Sequence, residues 1–248
     1  GILVGASLGL SGAALQGLLR NPLADPGILG VSTTASLGAV IALYFGLGAI
    51  FILSVPIMAM LGALFATSIL YYVASRDASV LTLILVGIAI SSLAAALTAL
   101  AMNLAPNPYS LREMIMWLMG SLNNRSWSDI YLAGPFIIIG WALILPTGRG
   151  LQALVLGEET AISLGIDLKK LRTRIVVGVA LCVGAGVAIS GAIGFIGLVV
   201  PHMIRPFVGQ EPGRTLVPSA IGGALLLVLS DLFARLMPTA SDIRLGVV

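Results

Sequence analysis

The side chains from which acid–base, nucleophilic or metal chemistry could be built are few: ten carboxylates, one histidine and one cysteine in 248 residues. His202 alone cannot assemble a histidine-rich metal centre. It reads as an interfacial structural residue rather than a proton relay. Cys182 sits inside an apolar run, with no second cysteine for a disulfide or a metal, and reads as a small buried hydrophobe. No catalytic residues, no metal and no cofactor are expected. Asp25, Asp77, Glu113, Asp129, Glu158, Glu159, Asp167, Glu211 and Asp242 all fall in or beside polar connections. Only Asp231 lies within an apolar run, and Arg235, four residues on, is spaced to pair with it across one helical turn.

Three stretches stand out. Gly191, Gly194 and Gly197 loosen a helix, and Pro201 removes a backbone donor. Such a break between apolar stretches either lines a pathway or lets helices approach closely. It is no phosphate loop, because the Lys-Ser/Thr ending is missing. Residues 156–166 read as a short amphipathic helix. Gly157 precedes it, Gly165 can end it, and Glu158 and Glu159 suit its N-terminus. With Ala161, Ile162 and Leu164 as apolar contacts, it is either a docking knob for a soluble partner or a solvated surface helix. Residues 20–30 hold Pro22, Pro26, Gly27 and Gly30, cannot continue a helix, and read as a tight turn.

The elements that position these residues must be membrane helices. The chain is 58% hydrophobic and 9% charged, against about a quarter charged in soluble domains. Lipid as solvent removes the cost of so much apolar surface. A net charge of +3 is too small and dispersed for nucleic acid. Apolar runs cover residues 1–19, 30–50, 51–73, 81–104, 130–145, 175–190 and 216–236, with a shorter, proline-broken run at 195–208. Residues 111–120 are amphipathic and too short to span, which predicts a surface or partly inserted helix. Alternating the connections puts Arg20, Arg76, Arg149, Lys169, Lys170, Arg172, Arg174, Arg205 and Arg214 on one side, against Arg112, Arg125, Arg235 and Arg244. That bias marks the first side as cytoplasmic. The chain therefore reads as a multi-pass membrane protein, with residues 147–174 its longest cytoplasmic connection. The runs at both ends predict a fragment. Ser11-Gly12-Ala13 before Pro22 echoes Ser190-Gly191-Ala192 before Pro201 at equal spacing, a faint sign of an inverted repeat. Carboxylates at membrane depth are too scarce for proton or sodium coupling, and no phosphate loop is present. Energy from a separate ATP-hydrolysing subunit is the favoured reading; an ion-coupled secondary transporter is the alternative.

Several of these motifs, taken in order, resemble one family. They are Gly12-Ala13 with Arg20-Asn21-Pro22-Leu23-Ala24-Asp25-Pro26-Gly27-Ile28-Leu29-Gly30-Val31-Ser32, Met116-Trp117-Leu118-Met119-Gly120, Leu156-Gly157-Glu158 to Leu164-Gly165, Gly191 to His202, and Asp231 to Arg235 with Gly246-Val247-Val248. The chain is similar to the FecCD family, membrane permeases of ATP-binding-cassette (ABC) importers for iron-siderophore complexes, haem and cobalamin. The resemblance implies an all-α, polytopic ten-helix type II importer permease, here a single domain, residues 1–248, without its first and last helices. It implies a homodimer with the pathway at its interface, and alternating access. Two cytoplasmic ATPases would grip Leu156, Gly157, Glu158, Glu159, Ala161, Ile162, Leu164 and Gly165. A periplasmic or lipid-anchored substrate-binding protein would dock outside, where Arg235 matches a family arginine. Arg244 adds charge there, in Asp242-Ile243-Arg244-Leu245, where the family often has Glu-Leu-Pro. Ser79 and Val80 match the cytoplasmic gate, with Val80 in place of a small hydroxyl residue. Gly191, Gly194, Gly197 and Pro201 are the pathway or helix break.

Overall fold

The computed structural model describes residues 1–51, 53–76, 78–123 and 125–237. Among them are eleven α-helices and no strand: α1 Ile2–Leu19, α2 Val31–Tyr44, α3 Ser54–Ala74, α4 Val80–Asn103, α5 Pro108–Leu118, α6 Trp127–Ile144, α7 Gly148–Val155, α8 Glu158–Ser163, α9 Leu168–Ser190, α10 Ile196–Ile204 and α11 Pro212–Leu236. Six helical segments are long and apolar enough to cross a bilayer: α1, α3, α4, α6 running on into α7, α9 and α11. Two shorter apolar ones are α2 and the stretch Ile196–Val208.

Helix α1 is apolar and small-residued on every side, so it has no polar face to give to solvent. Val4 through Leu18 are all buried. It is the axle of the bundle, packed by α11, α9, α10 and α6. Its glycines allow this. A methyl on Gly9 would overlap the carbonyl of Ser219, and one on Gly12 the carbonyl of Gly197. α9 is buried almost as completely, from Gly178 to Ser190 except at Leu181.

The apolar run 30–50 is not one spanning helix. α2 has 14 residues, about 21 Å, short of a roughly 30 Å hydrocarbon core. Gly46 takes φ +66 and a 3-10 turn, Leu47–Ala49, follows. Hydropathy registers apolar composition and cannot see that the backbone has left the helix. Nor is 20–30 wholly a surface turn: residues 20–23 are exposed, but the chain turns inward after them. Ala24, Pro26, Leu29 and Gly30 are buried, and a methyl on Gly87 of α4 would overlap the carbonyl of Ile28. The segment folds into the bundle through a 3-10 turn, Pro26–Leu29, capped by Asp25.

Broken helices recur at α9–α10, but the Ser-Gly-Ala echo does not mark equivalent places. Ser11 lies mid-α1, whereas Ser190 is the last residue of α9. The connection 147–174 is also mostly helix. A 3-10 turn, Leu145–Thr147, joins α6 to α7, and α9 begins at Leu168, so Lys169, Lys170, Arg172 and Arg174 ride on its first turns. Gly148, Arg149 and Gly150 lower the hydropathy without breaking the helix. α5 is short, as its amphipathic pattern predicts. Asn107 Oδ1 accepts from Ser110 N at 2.9 Å to start it, and Met114 is fully buried.

Candidate functional site

The first candidate surface is the α7–α9 connection. Gly157 takes φ +104, a conformation closed to side chains, and turns the chain sharply into α8. Glu158 and Glu159 occupy its first turn. Its end is a Schellman motif: Gly165 N donates to Ile162 O at 2.9 Å and Ile166 N to Ala161 O at 3.0 Å. Arg172 Nη2 meets Glu158 Oε1 at 2.7 Å, and Asp167 Oδ1 caps α9 through Lys170 N at 2.9 Å. The short helix is thus held at both ends. Ala161 is fully buried, so it seats the knob instead of touching a partner. Leu156, Ile162 and Leu164 are 64%, 58% and 60% exposed and form the apolar face the knob presents.

The second is the break before α10. Ser190 Oγ donates to Gly186 O at 2.8 Å as α9 ends. Gly191 takes φ +70, and a methyl there would overlap Trp117 O at the end of α5. Ser121 N donates to Ser190 O at 2.7 Å and ties the same corner. Residues 191–195 run non-helical, and Phe195, at φ +65 and 75% exposed, opens α10. Two cavities flank Phe195. One of about 130 Å³ is lined by Asp25, Ser32, Gly194 and Gly197; another of about 200 Å³ is lined by Ile193, Val199, Leu226 and Ser230. Of the predicted break residues, Gly194 borders both cavities. Gly191 and Gly197 are also close backbone contacts, and Pro201 is buried.

Sequence reasoning passed over the group that holds this break. Gln16, 2% exposed, sends Nε2 to the carbonyls of Gly197 at 3.4 Å, Leu198 at 3.2 Å and Ala24 at 3.4 Å. Its Oε1 accepts from Arg205 Nη2 at 2.8 Å. A lone amide in an apolar run was the available signal. Asp25 was read as part of a turn; its Oδ1 accepts from Gly27 N at 2.7 Å. Burial pushes its carboxyl pKa up, and the Gly27 N–H opposes the shift.

Ser79 caps α4: its Oγ accepts from Thr82 N at 3.1 Å, with Val80 the first helical residue. α4 is the least covered spanning helix, with only 17% of its apolar window buried. Arg235 Nε meets Asp231 Oδ2 at 2.9 Å, the pair expected from the spacing. It lies at the opposite end of the bundle from α8. Arg244 falls outside the described residues.

A profile of the FecCD transport family matches residues 1–248. The vitamin B12 import system permease of Vibrio cholerae is 43% identical over 250 residues, covering 99% of this chain and 74% of its own length. The hemin transport system permease of Yersinia pestis is 38% identical, covering 100% and 75%. A solved structure, described as an inward-facing conformation of a metal-chelate type ABC transporter, superposes with a TM-score of 0.90 at 31% identity. It covers 99% of this chain and 78% of that one.

Proposed function

Because this chain belongs to the FecCD transport family, we propose that it is the membrane permease of an ABC importer that moves a metal chelate into the cytoplasm. Iron-siderophore complexes, haem and cobalamin are the candidate cargoes. The protein is a multi-pass permease of the inner (plasma) membrane, and the hydrolysis of ATP belongs to a partner.

The observation that carries this reading is the α8 knob. It offers three exposed apolar side chains, Leu156 at the end of α7, Ile162 in α8 and Leu164 just after it, on a turn held by Gly157, Gly165 and the Glu158–Arg172 pair. A rigid apolar knob on the positively charged side suits insertion into a cleft of a cytoplasmic ATPase. The coupling unit is the 147–174 connection: Leu156, Ile162 and Leu164 touch the partner, Glu158 and Glu159 rim it, and Gly157, Ala161 and Gly165 shape it. Two permeases pair through the exposed face of α4, each gripping one ATPase. The cargo passes between them, with Ser79 and Val80 narrowing the cytoplasmic end and the 191–201 break bordering the way. A periplasmic or lipid-anchored binding protein delivers the cargo at the end that carries Arg235. Docking outside and ATP-driven closure inside shift the pair between two states. Ion coupling lacks material. Asp231, the carboxylate of the described spans that lies away from a connection, is already paired with Arg235.

The test is uptake into liposomes by the complete transporter, with ATP hydrolysis stimulated by the binding protein, across iron chelates, haem and cobalamin. One cargo should stimulate both. Uptake driven by an ion gradient without any ATPase would overturn the proposal.

A further inference from the structure

α7 is locked to the rest of the bundle rather than resting on it. A methyl on Gly213 would overlap the carbonyl of Gly148, so α7 and the first turn of α11 meet backbone to backbone. One turn on, Gln152 Nε2 donates to Glu211 Oε2 at 3.2 Å. The same oxygen takes Arg214 Nε at 2.9 Å. Glu211 opens α11, and the corner between it and Arg205 is stiff: Gln210 N donates to Arg205 O at 3.2 Å, through left-handed Gly209 and Gln210. Arg205 then holds Gln16, and Gln16 holds the first turn of α10. An unbroken line of hydrogen bonds and backbone contacts therefore runs from the base of the α8 knob to Phe195. There the two flanking cavities leave the Phe195 side chain room to move.

We infer that Gln152 and Glu211 are positioning residues for transport, passing the displacement of α7–α8 into the 205–211 corner and so to α10. The inference rests on the reading of α8 as the ATPase-driven knob. Glu158 also ties the knob to Arg172 near the start of α9, so α9 offers a second, longer route whose far end is the same break.

The test uses the complete transporter in liposomes. Gln152→Ala and Glu211→Ala should each lower cargo moved per ATP by about fivefold or more, while the ATPase still co-purifies. The double variant should be no worse than either single, because one contact is lost in all three. Glu211→Gln keeps an acceptor for Gln152 and should restore coupling; Arg214→Ala should leave it intact. A second readout uses Phe195→Cys on a Cys182→Ser background. Its maleimide labelling rate should respond to ATP, and that response should vanish with Glu211→Ala. An ATP response and a cargo-to-ATP ratio both unchanged by Glu211→Ala overturn the inference. If Ile162→Asp also leaves ATP-driven uptake intact, the knob reading itself has failed; if Ile162→Asp abolishes uptake and Glu211→Ala does not, only this route has.

Discussion

Gln16 donates to the carbonyl of Gly197, the acceptor in α10 whose helical donor would be the N–H of residue 201, and residue 201 is proline. The α1 side chain supplies what the proline withholds. Replacing Gln16 with Leu leaves Gly197 O and the Arg205 guanidinium without partners, at a cost of about 1–3 kcal/mol. Pro201→Ala returns an N–H to Gly197 O and should recover part of that loss. Unfolding in detergent across this mutant cycle should show a non-additive pair; strict additivity would refute the substitution of one donor for the other.

Gly12 of α1 and Gly186 of α9 make opposite demands. Gly12→Ala places a methyl against backbone, at Gly197 O, which cannot yield as a side chain can. A loss of at least about 1–3 kcal/mol is expected. At Gly186 the nearest atom to an added methyl is Val4 Cγ1 at 3.5 Å, an ordinary contact. Gly186→Ala should be neutral or stabilise by up to about 1 kcal/mol through lost chain entropy in the unfolded state. Melting temperatures of the two variants in one detergent check both.

On the knob, exposure separates partner contacts from internal seats. Ile162→Asp and Leu164→Asp should abolish co-purification of the ATPase while leaving the permease's own melting temperature within a degree or two. Ala161→Leu overfills a fully buried site and should destabilise the permease itself by about 1–3 kcal/mol. Pull-down beside thermal unfolding distinguishes them.

Asp25 gives a pH dependence. Burial raises its carboxyl pKa in the fold above the ordinary value of 3.8, against the Gly27 N–H. A raised carboxyl pKa means that folding favours the protonated form. Its stabilising share is full below the unfolded pKa and is lost as pH rises through the raised folded value. Asp25→Asn keeps an oxygen for Gly27 N and removes the charge. It should melt higher than the parent at about pH 8 and lose that advantage near pH 4. An equal gain at both pH values would point to packing instead.

Periodicity and hydropathy were enough to read a helical membrane protein and most of its spans, because a run that lipid must solvate is a property of composition alone. The Asp231–Arg235 pair and the caps around α8 were legible for a similar reason: they depend on residues within one or two turns of each other. What the sequence left open is what depends on distant backbone. The early end of α2, the folding-in of residues 20–30 and the continuation of α6 into α7 turn on whether particular glycines meet a neighbour or open space. Glycine carries no side chain to announce which.

The sequence by itself determined that this chain lives in lipid, which end carries the basic residues, and which family its motifs follow. Only the tertiary structure decided that Gln16 serves Gly197, 181 residues away, and that Ala161 faces inward while Ile162 faces out. Nor could the sequence show that Gln152 and Glu211 join the knob to the core. Hydrogen bonds between remote residues and backbone contacts at glycines depend on how helices cross. That crossing is set by the packing of the whole bundle, which no local pattern encodes.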